Sequence, residues 1–199
     1  TRLYRARLGP GLNRELGAAA LLIAAEDKAG RRWARAHGYK GYTSYASLDD
    51  LPLRAPPFAE LARRLDTHVA AFARAADFDL NLGSGGRRRK LKLDSLWLNV
   101  MGAGAVHAPH IHPQAAVSGT YYVTAPAGSG AIRFEDPRLG LMMAAPPRRR
   151  RARPPNRLFV DVQPQPGMLL LWESWLRHGV EPNHAKAPRI SVSFNYRLD

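Results

Sequence analysis

The stretch "HAPHIHPQ", residues 107–114, places His107, His110 and His112 within six positions. In an extended segment alternate side chains point the same way, so His110 and His112 stand roughly 6.5–7 Å apart at the backbone. That separation lets two imidazoles share one metal ion. His178 follows in "SWLRHGVEPN", and Arg189 stands eleven residues beyond it. Each histidine has a plainer reading, since a lone histidine is usually at the surface or hydrogen-bonded in a core. His37, His68 and His184 are read that way. His107 has the wrong parity for a strand-borne ligand, although Pro109 can break the strand before His110.

In "RISVSFN", Ile190, Val192 and Phe194 alternate with Arg189, Ser191, Ser193 and Asn195. Period two puts the four polar residues on one face. Two readings stay open: a solvent-facing polar surface, ordinary for an antiparallel strand, or an interior guanidinium and hydroxyl able to hold a small carboxylate.

The elements that must position these groups change character along the chain. Leu12, Leu16, Ala19, Ala20 and Ile23 repeat at helical spacing, and Gly30 is read as ending that run. In "PPFAELARRLDTHVAAFARAA" prolines suit a helix's first turn, with Phe58, Leu61, Leu65, Val69 and Phe72 on one face. From Leu91 the period drops to two. "LDSLWLNV", "SGTYYVT", "AIRFED", "RLFVDV", "GMLLLW" and "RISVSFNYR" read as short strands separated by Gly, Pro or Asn turns. Helices followed by closely spaced strands indicate an α+β chain with an antiparallel sandwich or barrel. Trp97 and Trp175 are read as core packing.

The 199 residues suit one domain, with the Gly-rich 83–86 stretch as the strongest boundary signal. The expected division is a helical part at 1–82, a strand-built core at 91–199 and an arginine-rich loop at 144–157. No apolar run is long enough to span a membrane. "GAAALLIAA" lacks the basic flank and cleavage site of a secretory leader, so a cytoplasmic location is expected. The absence of cysteine excludes disulfides, thiolate metal sites and cysteine nucleophiles.

A net charge of +14 suggests nucleic acid until its location is examined. "RRRK" at 87–90 carries +4 and six arginines between 148 and 157 carry +6, leaving +4 for the rest. Clustered arginine suits phosphate or an acidic partner. Two solvated loops are the preferred reading, because no aromatics interleave with the arginines as single-strand binding requires.

Taken in order, PHxH, a hairpin, "QPGMLLLWESWLRHGV" and R-x-S resemble the 2-oxoglutarate- and iron(II)-dependent oxygenases. The chain is most similar to a bacterial and phage branch of that prolyl-hydroxylase-like group. "LWLNVMGAGAVHAPHIHP", "SGTYYV", "GSGAIRFEDPR" and "RISVSFN" carry the likeness. "GYTSYASLDDLPLRAPPFAEL" extends it to the N-terminal part, so it covers nearly the whole chain.

The resemblance implies a double-stranded β-helix (jelly-roll, cupin-like) core with N-terminal helices packed on the sheet. It implies His110, His112 and His178 as ligands to Fe(II), and Arg189 assisted by Ser191 for the far carboxylate of 2-oxoglutarate. Asn99 and Tyr121 are added as candidates for the floor of the co-substrate pocket. The implied activity is a dioxygenase, expected to be a hydroxylase, which consumes 2-oxoglutarate and O2 and releases succinate and CO2. The group's usual pattern is His-x-Asp, whereas here a third imidazole replaces the acid. That replacement removes about one unit of negative charge from the metal centre and should raise its reduction potential.

Asp136 or Glu135 in "RFEDPR" is the alternative ligand, ranked lower because "DPR" reads as a turn, where Asp commonly caps its own backbone. The primary substrate is not written in the sequence; an acidic or phosphate-bearing one would fit if the arginine loop borders the site. Two rivals stand beside this reading. One is a cupin-type metal protein that does not use 2-oxoglutarate, and the other is a basic module binding nucleic acid or an acidic partner.

Overall fold

Helical spacing in the first third produces α1 (Asn13–Glu26), α2 (Lys28–Ala36), α3 (Leu51–Arg54) and α4 (Pro56–Ala75). The computed structural model describes residues 2–81 and 89–199. The boundary signal at 83–86, with Arg87 and Arg88, lies outside those residues. As expected, α4 begins with its prolines in the first turn and buries Phe58, Leu61, Leu65, Val69 and Phe72.

Gly30, however, lies inside α2 rather than at a helix end. The chain breaks at Asp27, whose carboxylate accepts the Gly30 N–H and caps α2. Glycine is required there by close packing, because a Cβ would stand 2.3 Å from Asp27 Oδ2 and 2.7 Å from Ser47 Oγ.

Alternating sequence from Leu91 onward produces β3 (Leu91–Met101), β4 (His107–His110), β5 (Val117–Thr124), β6 (Ile132–Glu135), β7 (Phe159–Val162), β8 (Met168–Glu173), β9 (His178–Val180) and β10 (Arg189–Leu198). The N-terminal part is not wholly helical. It also contributes β1 (Tyr4–Arg7) and β2 (Gly41–Thr43), which close the two ends of the larger sheet. That sheet runs β1-β8-β5-β10-β3-β2, and the smaller one β4-β9-β6-β7. All pairings are antiparallel.

Each face of the larger sheet has its own task. Leu96, Leu98, Val192, Phe194 and Tyr196 pack with Leu16, Phe58, Leu65 and Phe72 of the helices in one apolar core. The opposite face, toward the smaller sheet, packs Tyr122, Leu170 and Trp172 with Ile132, Phe134 and Val162. This is the jelly-roll arrangement with helices on one sheet. The arginine-rich stretch lies in the connection from β6 to β7. Among the described residues no helix is long and apolar enough to cross a membrane.

Candidate metal centre

The smaller sheet places His110 on β4 directly opposite His178 on β9. His112 follows β4 by two residues, and its N–H donates to the Ser174 carbonyl at 3.1 Å. One ring nitrogen from each of His110, His112 and His178 lies within 4.8 Å of the other two, a donor set that can hold one metal ion. His112 Nε2 and His178 Nε2 stand 3.3 Å apart.

Backbone carbonyls fix the rings. His110 Nδ1 is 2.7 Å from the Ala108 oxygen and His178 Nδ1 is 2.8 Å from that of Leu176. As donors there, both rings leave Nε2 with a lone pair for a cation, the usual outer support of a metal-binding imidazole. Trp172 packs edge-on to His178, and Trp97 lies 5.7 Å from His112 between ring centres. Burial pulls the His178 imidazole down to about 3 and that of His112 to about 4, so both are neutral at pH 7. Neutral imidazole is the metal-binding form.

His107 is not one of the three, but it is close. It pairs with Val180, stacks on His110 at 4.6 Å and lines the same interior pocket. A register shift between His107 and His110 brings it in despite its parity. Burial holds its imidazole near 4 as well.

The larger sheet supplies the rest of the pocket and decides between the two readings of the last strand. Arg189, Ser191 and Ser193 line the space between the sheets, with Arg189 only 3% exposed, while Asn195 bonds Ser118 and Ser95 on the neighbouring strands. Register sets Ser191 opposite Asn99 and Ser193 opposite Trp97. Asn99 lines the pocket. Its amide is anchored: Oδ1 accepts from Thr43 Oγ1 at 2.9 Å and Nδ2 donates to Ser193 Oγ at 3.2 Å. One amide N–H remains for another partner.

Three expectations require correction. Tyr121 points away from the pocket into the helix-facing core, where its hydroxyl donates to Asn13 Oδ1. Its neighbour Tyr122 takes the pocket side by strand alternation, with its ring 5.0 Å from the Arg189 guanidinium. Asp136 accepts from the backbone N–H and guanidinium of Arg138, lines a different hollow and is not in the histidine cluster. Trp175 is not core: it is 48% exposed and donates to Glu173.

Around Arg189 the polar accounting does not close. Its Nε and Nη1 are buried without a partner, and so are the hydroxyls of Tyr39 and Tyr122. Burying an unpaired guanidinium is costly, and an anion bound beside it would offset that cost. Burial pushes the Tyr39 phenol up to about 12, with Arg189 opposing, so it stays a neutral donor. Sequence reading missed Tyr39 and Tyr122. Tyr122 follows from parity once Ser191 is known to face inward; Tyr39 carries no local signal.

These residues fit the group that the resemblance implies. Three imidazoles suit one divalent iron, and an orphaned guanidinium beside them suits a dicarboxylate.

Comparison with known proteins agrees. No curated protein matches this chain in sequence. The fold is similar to that of a Pseudomonas putida prolyl-4-hydroxylase, 14% identical over 98% of this chain and 91% of that one, with a TM-score of 0.60. It is similar also to SnoN, a non-heme alpha ketoglutarate dependent epimerase from nogalamycin biosynthesis, 20% identical over 98% and 76% with a TM-score of 0.65. HygX from Streptomyces hygroscopicus, solved with nickel and 2-oxoglutarate bound, is 16% identical over 98% and 82% with a TM-score of 0.62. Residues 95–195, just over half the chain and including every histidine of the cluster, match the family model described as "Putative 2OG-Fe(II) oxygenase". The chain therefore belongs to the 2OG-Fe(II) oxygenase family.

Proposed function

We propose that this protein is an iron(II)- and 2-oxoglutarate-dependent dioxygenase that hydroxylates its substrate, with His110, His112 and His178 as the metal ligands. Buried Arg189 carries the reading. Its guanidinium lacks partners at Nε and Nη1 and faces the same narrow interior space as the three imidazoles. Iron(II) with 2-oxoglutarate and O2 supplies oxidative decarboxylation to succinate and CO2 and an oxidising equivalent for a C–H bond.

The chain's own groups bind, orient and shield. Arg189 pairs with the distal carboxylate through its fixed fork, and Ser191, one register step inward on β10, adds a hydroxyl. Tyr39 and Tyr122 bring further O–H donors, and Asn99 holds Ser193 in place. The pocket is narrow, about 40 Å³, so a five-carbon diacid enters only with rotation of lining side chains. Trp97, Trp172 and Phe134 pack against the ligand rings and keep water from the reacting centre.

The epimerase relative shows that the fold also serves other oxidative outcomes. Hydroxylation is preferred because the motif order resembles the prolyl-hydroxylase-like group. The test is succinate formation from 2-oxoglutarate. It should require added iron, vanish in His178→Ala and fall by about a hundredfold or more in Arg189→Ala. A cupin-type activity independent of 2-oxoglutarate would leave Arg189→Ala fully active, and that result would sink the proposal.

A further inference from the structure

One hollow in the described structure is far larger than the histidine pocket. It is a groove of about 730 Å³ at the edge of the sandwich, between β1 of the larger sheet and β7 of the smaller. Its floor is apolar, with Leu3, Phe134, Val160 and Leu176, and prolines 154 and 155 form one wall. Among the described residues both flanking strands are terminal in their sheets: β1 pairs with β8 and β7 with β6. Each therefore presents backbone donors and acceptors along a free edge.

Charge lining this groove is net positive. The two acids that line the groove are already engaged, Asp136 by Arg138 and Glu135 by Arg177. Arg5 and Arg157 line it with no carboxylate partner among the described residues. Arg157 donates to the Ala152 carbonyl and so ties the arginine loop to the groove wall. Beyond it, Arg148, Arg149, Arg151 and Arg153 surround a second hollow of about 390 Å³ that no acid lines. The same β6–β7 connection exposes Leu141 (84%) and Met143 (97%), apolar side chains in an otherwise cationic segment.

We propose that the groove between β1 and β7, with the arginine-bearing connection beside it, docks an extended acidic polypeptide whose carboxylates are interspersed with apolar residues. Unneutralised arginines set the charge of the partner. Strand edges set its extended form, since an added strand pairs through its backbone. The apolar floor calls for apolar side chains between the carboxylates, and exposed Leu141 and Met143 on the β6–β7 connection offer further apolar contact. Nucleic acid fits less well, because the one aromatic ring in the groove, Phe134, is 3% exposed and offers no stacking face. This surface does not depend on the oxygenase assignment.

Fluorescence anisotropy on the full chain tests it, with labelled peptides of roughly ten residues, enough to pair along a strand. The probes are an alternating Glu/Leu-Val peptide, a poly-glutamate of equal length, and single-stranded DNA and RNA of similar charge. The mixed peptide should bind tightest, about tenfold better than poly-glutamate, with affinity falling as salt rises. Arg5→Ser/Arg157→Ser should weaken it about tenfold, whereas the charge-matched Arg32→Ser/Arg35→Ser on α2 should not. Leu141→Ser/Met143→Ser should weaken it severalfold with an unchanged salt slope. Equal or tighter binding of either oligonucleotide, or no loss in Arg5→Ser/Arg157→Ser, overturns the proposal. Far-ultraviolet circular dichroism of each variant confirms that the comparison is between folded proteins.

Discussion

At the scale of single residues, the most informative group is Arg189. Its buried guanidinium spends stability on a partner that the chain itself does not provide. Arg189→Met, similar in length and without charge, should therefore raise the ligand-free protein's stability by roughly 1–3 kcal/mol in urea unfolding. With a redox-inert divalent metal already bound, excess 2-oxoglutarate should further stabilise the wild type, by about 2.7 kcal/mol at a hundredfold excess over Kd, and leave the metal-bound variant unmoved. A variant less stable than the wild type would mean that the charge is satisfied internally.

The histidines make a second prediction. Burial holds His178 near 3 and His107 and His112 near 4, while an unfolded histidine titrates near 6.5. Below pH 6.5 the unfolded chain thus binds protons that the folded one refuses, and stability falls with falling pH until the folded groups titrate. Between pH 7 and 5, above most carboxylate titration, metal-free protein should lose on the order of a few kcal/mol. The loss should shrink in His178→Phe, and a flat profile across that window would contradict the burial argument. Sequence reading reached these residues by type and spacing. It chose Tyr121 over Tyr122 because alternation gives two faces without saying which one is inside.

Elements carry the site indirectly. Asp27 joins two of them: it caps α2 through Gly30 and accepts from Tyr42 of β2 and from Ser47 in the loop after it. Burial raises its carboxyl, but these hydrogen bonds outweigh that effect and hold it below the usual range. β2 in turn brings Thr43 to Asn99 at the pocket floor. Asp27→Ala should cost about 2 kcal/mol in urea unfolding, through the lost cap and side-chain bonds. Metal affinity should stay within about threefold of wild type, because His110 and His178 stand on the other sheet and His112 just beyond its edge strand β4. A large loss of metal binding would mean that β2 positions the ligands themselves.

The main helices and most strands were legible, because apolar period reports which face is buried. β1 and β2 were not, since "YRAR" and "GYT" are too short to show a period and gain their strand character from their partners. Gly30 was misread for a related reason: its role is set by Asp27, Tyr42 and Ser47, which sequence distance conceals.

At the scale of the molecule, the sandwich gathers Asn99, His110, His112, His178, Arg189 and Ser191 around one narrow space. Motif order pointed to this grouping before any contact was known; the pairing that builds it, with β10 between β3 and β5, could not be read from the chain. The charge distribution follows the same division. Buried Arg189 lines the pocket, while the β6–β7 connection displays its arginines outward.

The central claim is that three imidazoles and Arg189 form one site for iron(II) and 2-oxoglutarate. Anaerobic titration of iron-loaded protein with 2-oxoglutarate, followed by visible absorption, tests it most directly. The account predicts a weak charge-transfer band that saturates with one 2-oxoglutarate per iron and is lost in Arg189→Met at the same concentrations. Iron-loaded wild type that shows no band at saturating 2-oxoglutarate would contradict it.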